Sequence, residues 1–359
     1  MNTSPSINFR EEFSAKIPAL TLLMNLGYRY LSPEQCLKLR SPKGARVQTP
    51  AYSATNSSNQ VMLLPVLREY LTRQTFPFEG QQHHLSDAGI DKIISELNPA
   101  MNLGLTRANE MLYDALLYGV NVTEFIDGKR ASPTIQLIDW QHIENNAYHV
   151  TEEMVVQNAD ATGNVIPDIV CFVNGLPLVV IEAKRPDSNN PHQSTNAQAI
   201  SQHIRNQGQK YIPHLFAYSQ LLLAVNGHEG LYGTCGTPEK FWSKWIEEEI
   251  SEPEFYRLKN QRLDDAQIDH LFAQRSAYDK REYQSLLDAG ELAVTDQDRL
   301  IISLLRPDRL LDMTRYYTLF DSKAGKIVAR YQQVFGIKAL VKRISNFDEQ
   351  GSREGGVIW

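Results

Sequence analysis

Two strongly apolar segments separated by Asn174-Gly175 constrain the fold of this chain more than any other feature of its sequence. Residues 169–173 and 176–181 are apolar throughout, and Asn-Gly between two such segments predicts a tight β-hairpin. A strand that is apolar on both faces is normally buried in a sheet that other elements cover on both sides. The hairpin therefore predicts the centre of a covered sheet.

Three charged residues stand at the ends of these apolar segments. Asp168 precedes the first strand, and Glu182 and Lys184 follow the apolar part of the second strand on one shared face. Burying such charges is costly unless they are paired or bound to a metal ion. Two carboxylates at a strand end suit Mg²⁺, and a neighbouring ammonium suits stabilisation of a reacting phosphate. The pattern therefore indicates phosphodiester hydrolysis.

The register of the hairpin decides between two interpretations of these charges. A strict two-residue turn at Asn174-Gly175 places Asp168 opposite the residue before Glu182, and thus on the wrong face. A metal site requires an odd-length loop or a β-bulge that brings the two carboxylates opposite each other. Pro177 favours such an irregularity because it cannot donate a ladder hydrogen bond. In the alternative interpretation, Glu182 and Lys184 form an ion pair and Asp168 caps a turn.

The hydrophobic pattern of the remaining chain predicts an α/β fold with a mixed central sheet. Predicted helices cover residues 11–27, 61–72, 86–96 and 107–118, with Ser86 and Thr106 as N-caps, and a further helix lies between Pro191 and Pro213. Predicted strands cover residues 134–140, 148–156, 169–173, 176–182 and 220–225. Residues 41–60 are rich in Ser, Pro, Thr and Asn and predict a loop.

The composition excludes several classes of protein. The 359 residues carry a formal net charge of −6, with 42% hydrophobic and 22% charged residues, which argues against disorder and against a protein that coats nucleic acid through bulk positive charge. Apolar runs fall far short of the ~20 residues that span a bilayer. The three cysteines lack the spacing of a disulfide framework or a zinc site, which favours a reducing, cytoplasmic location.

The charge is distributed unevenly along the chain. Residues 1–50 hold seven basic and three acidic residues, residues 239–299 hold nine and fifteen, and residues 300–350 hold nine and five. An acidic stretch between two basic ones predicts a solvated connector between separate units, although the ordinary surface of solvated helices would give the same pattern.

The segment 167–184 resembles the PD-(D/E)xK nuclease motif, with Pro167-Asp168 and Glu182-Ala183-Lys184 in the matching positions. More narrowly, the run from Asp168 through Asn174-Gly175-Leu176-Pro177-Leu178 to Lys184 resembles the R (restriction) subunit of type I restriction-modification enzymes. Further matches are residues 137–140, Asn145-Asn146, Leu215-Phe216 and Asn226-Gly227. The resemblance implies a restriction-endonuclease-like mixed sheet flanked by helices, with Asp168, Glu182 and Lys184 as catalytic residues and Mg²⁺ held by the two carboxylates.

The same resemblance implies supporting residues. Gln207 and Tyr211 match a Q-x-x-x-Y element of the family, and on a helix they would share a face and either orient Lys184 or contact DNA. Packing on the helix surface is the alternative for both. Glu11 or Glu12 is the candidate for a glutamate that supports the metal, with a favourable interaction with the helix dipole as the alternative.

The last part of the chain resembles the start of the motor region of the same family. Residues 304–312 and 326–333 carry this resemblance, which implies that Gln332 or Gln333 recognises adenine in the full-length protein. A polar helix surface is the alternative. Residues 355–359 match the strand that leads into the phosphate-binding loop, and no G-x-x-x-x-G-K-[ST] motif occurs in the sequence. We therefore expect a chain that is cut before this loop and does not hydrolyse ATP.

These observations predict four parts. They are a mostly helical N-terminal part of the nuclease region over 1–130, a PD-(D/E)xK core over 131–236, an acidic helical connector over 237–299 and the start of a RecA-like motor domain over 300–359.

The predicted function is that of the Mg²⁺-dependent nuclease region of an R subunit. It would cut foreign double-stranded DNA in complex with methyltransferase and specificity subunits, with ATP needed only by the full-length protein and no membrane partner. Two alternatives remain. The region could be a non-catalytic module that docks the R subunit onto the methyltransferase, or a stand-alone DNA repair nuclease, which residues 330–333 and 355–359 disfavour.

Overall fold

A mixed sheet lies at the centre of the structure, a computed structural model that describes residues 12–40, 60–186 and 195–347, together with Gly351 and Arg353. Its six strands lie side by side in chain order. They are Arg29–Leu31 (β1), Tyr148–Glu152 (β2), Ile169–Val173 (β3), Leu176–Ala183 (β4), Leu221–Val225 (β5) and Gly230–Gly233 (β6). Strands β1 and β2 are parallel, as are β4 and β5, and the other neighbours are antiparallel.

Helices surround this sheet. They are Ile17–Asn25 (α1), Pro33–Arg40 (α2), Leu64–Thr72 (α3), Asp87–Glu96 (α4), Leu105–Tyr118 (α5), Thr195–Asn206 (α6), Pro213–Phe216 (α7), Glu252–Asn260 (α8), Asp265–Phe272 (α9), Ala277–Asp288 (α10), Asp296–Leu305 (α11), Pro307–Tyr316 (α12) and Tyr331–Ser345 (α13). A π-helical turn over Glu12–Lys16 precedes α1. Helix α1 contacts β1 and β2, α6 contacts β4 and β5, and α11 packs between α1 and β6.

Short two-stranded ladders lie outside the central sheet. They pair Thr75–Phe78 with Gln81–His84, Val120–Asn121 with Thr134–Ile135, Glu124–Ile126 with Lys129–Ala131, Val156–Gln157 with Asn164–Val165, and Thr318–Asp321 with Gly325–Val328. Among the described residues, none of the helices combines the length and apolar character needed to cross a membrane.

The predicted α/β fold with a mixed sheet and flanking helices is confirmed. The helices expected over 61–72, 86–96 and 107–118 are α3, α4 and α5, and the Ser86 hydroxyl accepts a hydrogen bond from the Gly89 amide as the N-cap of α4. Thr106 was wrong as an N-cap, because α5 begins after Gly104, which adopts a φ of +85°. The loop predicted for 41–60 lies outside the described residues except at its last position.

The hairpin β3–β4 contains both a tight turn and a bulge. Val173 pairs with Leu176 across the two-residue turn, and Cys171 pairs with Val179, so that one extra residue of β4 is accommodated next to Pro177. The pairing then continues to Ile169 opposite Ile181. Extended by one residue, this register places Asp168 opposite Glu182, as the metal interpretation required.

A network of hydrogen bonds anchors the tip of this hairpin. The Asn174 side chain donates to the Leu137 carbonyl at 2.9 Å and to Asn146 Oδ1 at 2.7 Å, and it accepts from the Ala147 amide at 2.8 Å. The Asp139 amide also donates to Asn146 Oδ1. The Leu137 carbonyl and the Asp139 amide thus form hydrogen bonds with side chains at the hairpin tip and not with a neighbouring strand. The strand predicted over 134–140 is accordingly limited to Thr134–Ile135.

The segment after the connector packs onto the sheet. Helix α11 crosses the boundary expected at 299/300, and the structure does not show the start of a RecA-like unit in the described part of 300–359. The Tyr28 hydroxyl donates to the Leu305 carbonyl at 2.8 Å, and the Tyr113 hydroxyl donates to the Thr318 carbonyl at 2.7 Å. Residues 296–329 are therefore part of the same core as the sheet.

Lys326 is buried in this contact. Its Nζ donates to the Ser219 carbonyl at 3.0 Å and to Gln220 Oε1 at 2.6 Å, just before β5. The rings of Tyr113 and Phe320 lie 5.4 and 5.6 Å from Nζ. Burial lowers the pKa of Lys326 from 10.5 to about 7.

The hairpin tip provides a first prediction. Gly175 has a φ of +84°, and a Cβ there would lie 2.6 Å from the Leu63 carbonyl oxygen, so Gly175→Ala should lower the free energy of unfolding by about 2 kcal/mol or more. Urea unfolding measures this change. Gly336→Ala in α13, where a Cβ meets nothing within 4 Å, is the control and should cause no loss. Equal effects of the two substitutions would contradict the role of the tip.

Lys326 provides a second prediction. The unfolded chain binds a proton at this lysine below about pH 10.5, whereas the folded chain binds it only below about pH 7. Stability should therefore rise with pH across this window, by up to ~1.4 kcal/mol per pH unit. Lys326→Met should remove this increment between pH 7.5 and 9 in urea unfolding, and Lys342→Met, at an exposed lysine, should retain it. An unchanged pH slope in Lys326→Met would refute the assignment.

Candidate functional site

Asp168, Glu182 and Lys184, which we call the strand-end cluster, meet where β3 begins and β4 ends. Asp168 Oδ2 accepts a hydrogen bond from the Ala183 amide at 2.8 Å and lies 3.5 Å from Lys184 Nζ. Lys184 Nζ also donates to the Ala183 carbonyl at 2.8 Å. The Glu182 side chain is completely buried, whereas 14% of Asp168 and 19% of Lys184 is exposed. Solvent or substrate can thus reach the cluster from the side of Asp168 and Lys184.

Asp168 opposes ionisation of the neighbouring Glu182 carboxyl group. Burial raises the pKa of Glu182 well above its usual value, and the charge and hydrogen bond of Asp168 raise it further. The positive charges of Lys184 and Arg205 act in the opposite direction and do not compensate. In the absence of a further cation, burial and the neighbouring Asp168 therefore favour the protonated form of Glu182.

The donor set fits Mg²⁺ better than a transition metal. No group of three or more His, Cys, Asp or Glu side chains is placed to hold a metal ion in the part of the chain that the structure describes. Mg²⁺ is commonly bound through one or two carboxylates, with waters and substrate phosphate oxygens completing its shell. A divalent cation between Asp168 and Glu182 would also favour the ionised form that burial of Glu182 opposes.

Helix α6 supplies two side chains to Glu182 that sequence reasoning missed. Gln202 Nε2 donates to Glu182 Oε2 at 2.5 Å, and Asn206 Nδ2 lies 3.4 Å from Glu182 Oε1. These residues are four apart, so both reach the same carboxylate from one face of the helix. A signal was present, because Asn206 falls in phase with the buried apolar position Ala199. A polar residue at a core position requires a buried partner.

Gln207 and Tyr211 do not share a helix face, because α6 ends at Asn206. The predicted shared helix face is therefore wrong. Gln207 Oε1 instead accepts from the Gly236 amide at 2.7 Å, and its Nε2 donates to the His203 carbonyl at 3.1 Å. Tyr211 is 36% exposed. Contact of these two residues with DNA or with Lys184 stays a prediction.

His203 packs beside the strand-end cluster without serving as a ligand. Its Nε2–H donates to the Leu223 carbonyl at 2.9 Å, and its ring stacks on Trp242 with centroids 5.2 Å apart. Burial lowers the pKa of His203 to about 4, so the imidazole is neutral at physiological pH. This residue therefore contributes packing behind Glu182.

Glu12 lies in a neighbouring charge network, whereas Glu11 lies outside the described residues. Glu12 Oε1 accepts from Arg275 Nε at 2.8 Å, and its other oxygen lies 3.5 Å from Lys16 Nζ. Lys16 in turn donates to Glu153 at 2.7 Å. Although burial opposes its charge, the hydrogen bond to Glu153 and the nearby carboxylates, Asp168 among them, raise the pKa of Lys16.

Gln332 and Gln333 lie at the start of α13, and both are exposed. Gln333 Oε1 accepts from the Arg330 amide at 2.8 Å and so caps the helix. Adenine recognition by Gln332 or Gln333 stays a prediction.

The sequence of this chain matches a known protein family and several known proteins. The sequence model of the family described as "Type I restriction enzyme R protein N terminus" matches residues 8–241. The Haemophilus influenzae protein named type I restriction enzyme HindI endonuclease subunit is 27% identical over 280 residues, which cover 77% of this chain and 23% of the relative. A Methanocaldococcus jannaschii protein, provisionally named type I restriction enzyme MjaIXP endonuclease subunit, is 24% identical over 355 residues, which cover 97% of this chain and 30% of the relative.

The chain spans less than a third of the length of these relatives. The matched family segment nevertheless covers more than half of the chain and contains the whole strand-end cluster, Gln202 and Asn206. The chain belongs to the family of type I restriction enzyme R protein N-terminal domains.

Proposed function

We propose that this chain is the nuclease region of a type I restriction enzyme R subunit and hydrolyses phosphodiester bonds of double-stranded DNA with Mg²⁺. The observation that carries the proposal is the bulge in β4, which brings Asp168 opposite Glu182 with Lys184 beside them. The names of the relatives, which are endonuclease subunits, support the same activity.

In this proposal Asp168 and Glu182 hold the ion, which when bound would activate water and neutralise charge on the phosphate. Gln202 and Asn206 fix the Glu182 carboxylate from behind. Lys184, held near Asp168 by the Ala183 carbonyl, presents a positive charge to the attacking water or to the phosphate. A water oxygen then bonds to phosphorus, one ester P–O bond breaks, and the leaving oxygen takes up a proton.

The remainder of the proposal concerns the larger assembly. Recognition of the DNA sequence would fall to a specificity subunit, and the methyltransferase subunit would complete the complex. ATP would serve only the full-length protein, where Gln332 or Gln333 would contact adenine. A mildly acidic chain suits this arrangement, because the partner subunits and the motor would deliver the DNA.

The strand-end cluster provides a direct test. In the full-length protein with its methyltransferase and specificity subunits, Asp168→Ala or Lys184→Ala should lower the rate of DNA cleavage on the order of 10³-fold or more, because each removes a charge used in the transition state. ATP-driven translocation, measured on the same complexes, should be unchanged.

Lys38→Ala is the matched control, since Lys38 pairs with Glu34 at the surface, and this variant should cut DNA normally. An Asp168→Ala complex that still cuts DNA would refute the nuclease assignment. Such a result would favour the alternative in which this region only docks the R subunit onto the methyltransferase.

The contact between α6 and Glu182 provides a second test. Gln202→Ala should raise the Mg²⁺ concentration that gives half-maximal cleavage by about 10- to 100-fold, since it removes the group that orients a proposed metal ligand. Cleavage rates over a Mg²⁺ titration measure this effect. Gln198→Ala, at an exposed position of the same helix, should leave the titration unchanged. A larger effect of Gln207→Ala than of Gln202→Ala would restore the sequence-based assignment.

A further inference from the structure

A groove with a volume of about 430 Å³ lies at the end of the sheet away from the strand-end cluster. Tyr148 and His149, at the start of β2, line it. The other end of β2 is Glu152, which pairs with Ile169 next to Asp168. A strand of five residues spans about 16 Å. The groove is therefore separate from the proposed nuclease site, and we call it the basic groove.

Arg29 and Arg73 give the basic groove its positive charge. Both side chains are exposed, and neither forms an ion pair within the ranges that the structure describes. Glu69 is the acidic residue among the described residues that line the groove. The sequence 41–59, which joins α2 to α3, contains two basic residues and no acidic one, so it offers no carboxylate to these arginines. Guanidinium groups bind phosphate through paired N–H donors, so two exposed arginines in a groove favour a phosphate-bearing ligand.

His149 adds a buried group without a partner. It pairs with Arg29 across the parallel strands β1 and β2, so the two side chains lie on the same face of the sheet. The imidazole is 7% exposed, and its Nδ1 has no hydrogen-bond partner among the described residues. Burial and the charge of Arg29 lower the pKa of His149 to about 4, so the ring is neutral. Because Nδ1 is itself buried, the neutral ring contributes to the lining of the groove and offers no polar contact to a ligand.

The remaining lining distinguishes between phosphate-bearing ligands. Leu39, Pro65 and Val66 form a half-buried apolar wall, and Tyr148 adds an aromatic ring. An inorganic phosphate would leave this wall uncovered and would be repelled by Glu69. A nucleotide would use both features, because its base covers apolar surface and its ribose hydroxyls donate to a carboxylate. The volume also falls in the range of small-molecule sites.

We propose that the basic groove binds a mononucleotide, with its phosphate on Arg29 and Arg73, its ribose hydroxyls on Glu69 and its base against the apolar wall. This site goes beyond the proposed nuclease activity and does not depend on it.

Calorimetric titration of the chain with AMP in the presence of EDTA tests the proposal independently of any Mg²⁺-dependent reaction. The unaltered chain should bind AMP with a dissociation constant of about 1 mM or tighter. The double substitution Arg29→Gln, Arg73→Gln should weaken binding at least tenfold. The matched control Arg107→Gln, Arg281→Gln removes two exposed arginines elsewhere and should bind AMP as before. Unfolding midpoints without ligand should agree among the three proteins, which separates loss of binding from loss of folding.

Further ligands test the parts of the proposed pose. Adenosine and inorganic phosphate should each bind at least tenfold more weakly than AMP, and Glu69→Gln should reduce the preference for AMP over 2′-deoxy-AMP. Absence of AMP binding at 10 mM, or equal binding of inorganic phosphate and AMP, would overturn the proposal. Binding of a short DNA duplex that requires Arg29 and Arg73, without AMP binding, would overturn it in favour of a DNA contact.

Discussion

The register between β3 and β4 is the constraint on which the rest of the site depends. One extra residue in β4, accommodated beside Pro177, shifts the pairing so that Asp168 comes opposite Glu182. Without this bulge the alternation of side chains would place the two carboxylates on opposite faces of the sheet. The tight turn at Asn174-Gly175 is retained, because the loop over 137–147 and the backbone of Leu63 hold it in place. The bulge is therefore the local irregularity that produces the site.

Burial of Glu182 sets the requirements on its surroundings. A carboxylate inside a sheet next to another carboxylate is unfavourable unless donors or a cation compensate. Gln202 and Asn206 supply part of that compensation from α6, and the proposed Mg²⁺ would supply the remainder. The arrangement links a hairpin, a helix and the proposed metal site. It also explains why polar residues occupy the inward face of α6.

Packing of the later chain onto the sheet was not evident from its charge pattern. The acidic stretch over 239–299 indicated a solvated connector, yet Arg275 from this stretch contacts Glu12, and α11 packs between α1 and β6. The buried Nζ of Lys326 contacts the backbone just before β5. The net charge of a segment describes its surface as a whole. The contacts that attach this segment to the sheet are instead made by a few individual side chains with residues that are distant in the sequence.

Apolar patterning and turn chemistry are local properties, so the hairpin, the α/β class with its mixed sheet, and the three residues at the strand ends could be predicted from the sequence. The sequence also showed that a metal site requires a bulge or an odd-length loop, but not whether either is present. The presence of the bulge, the end of α6 at Asn206 and the contact of Gln202 rather than Gln207 with Glu182 became evident from the folded chain. A helix end and a strand register depend on competition among distant partners. A short sequence pattern such as Q-x-x-x-Y therefore cannot fix which side chains meet a carboxylate that comes from another element.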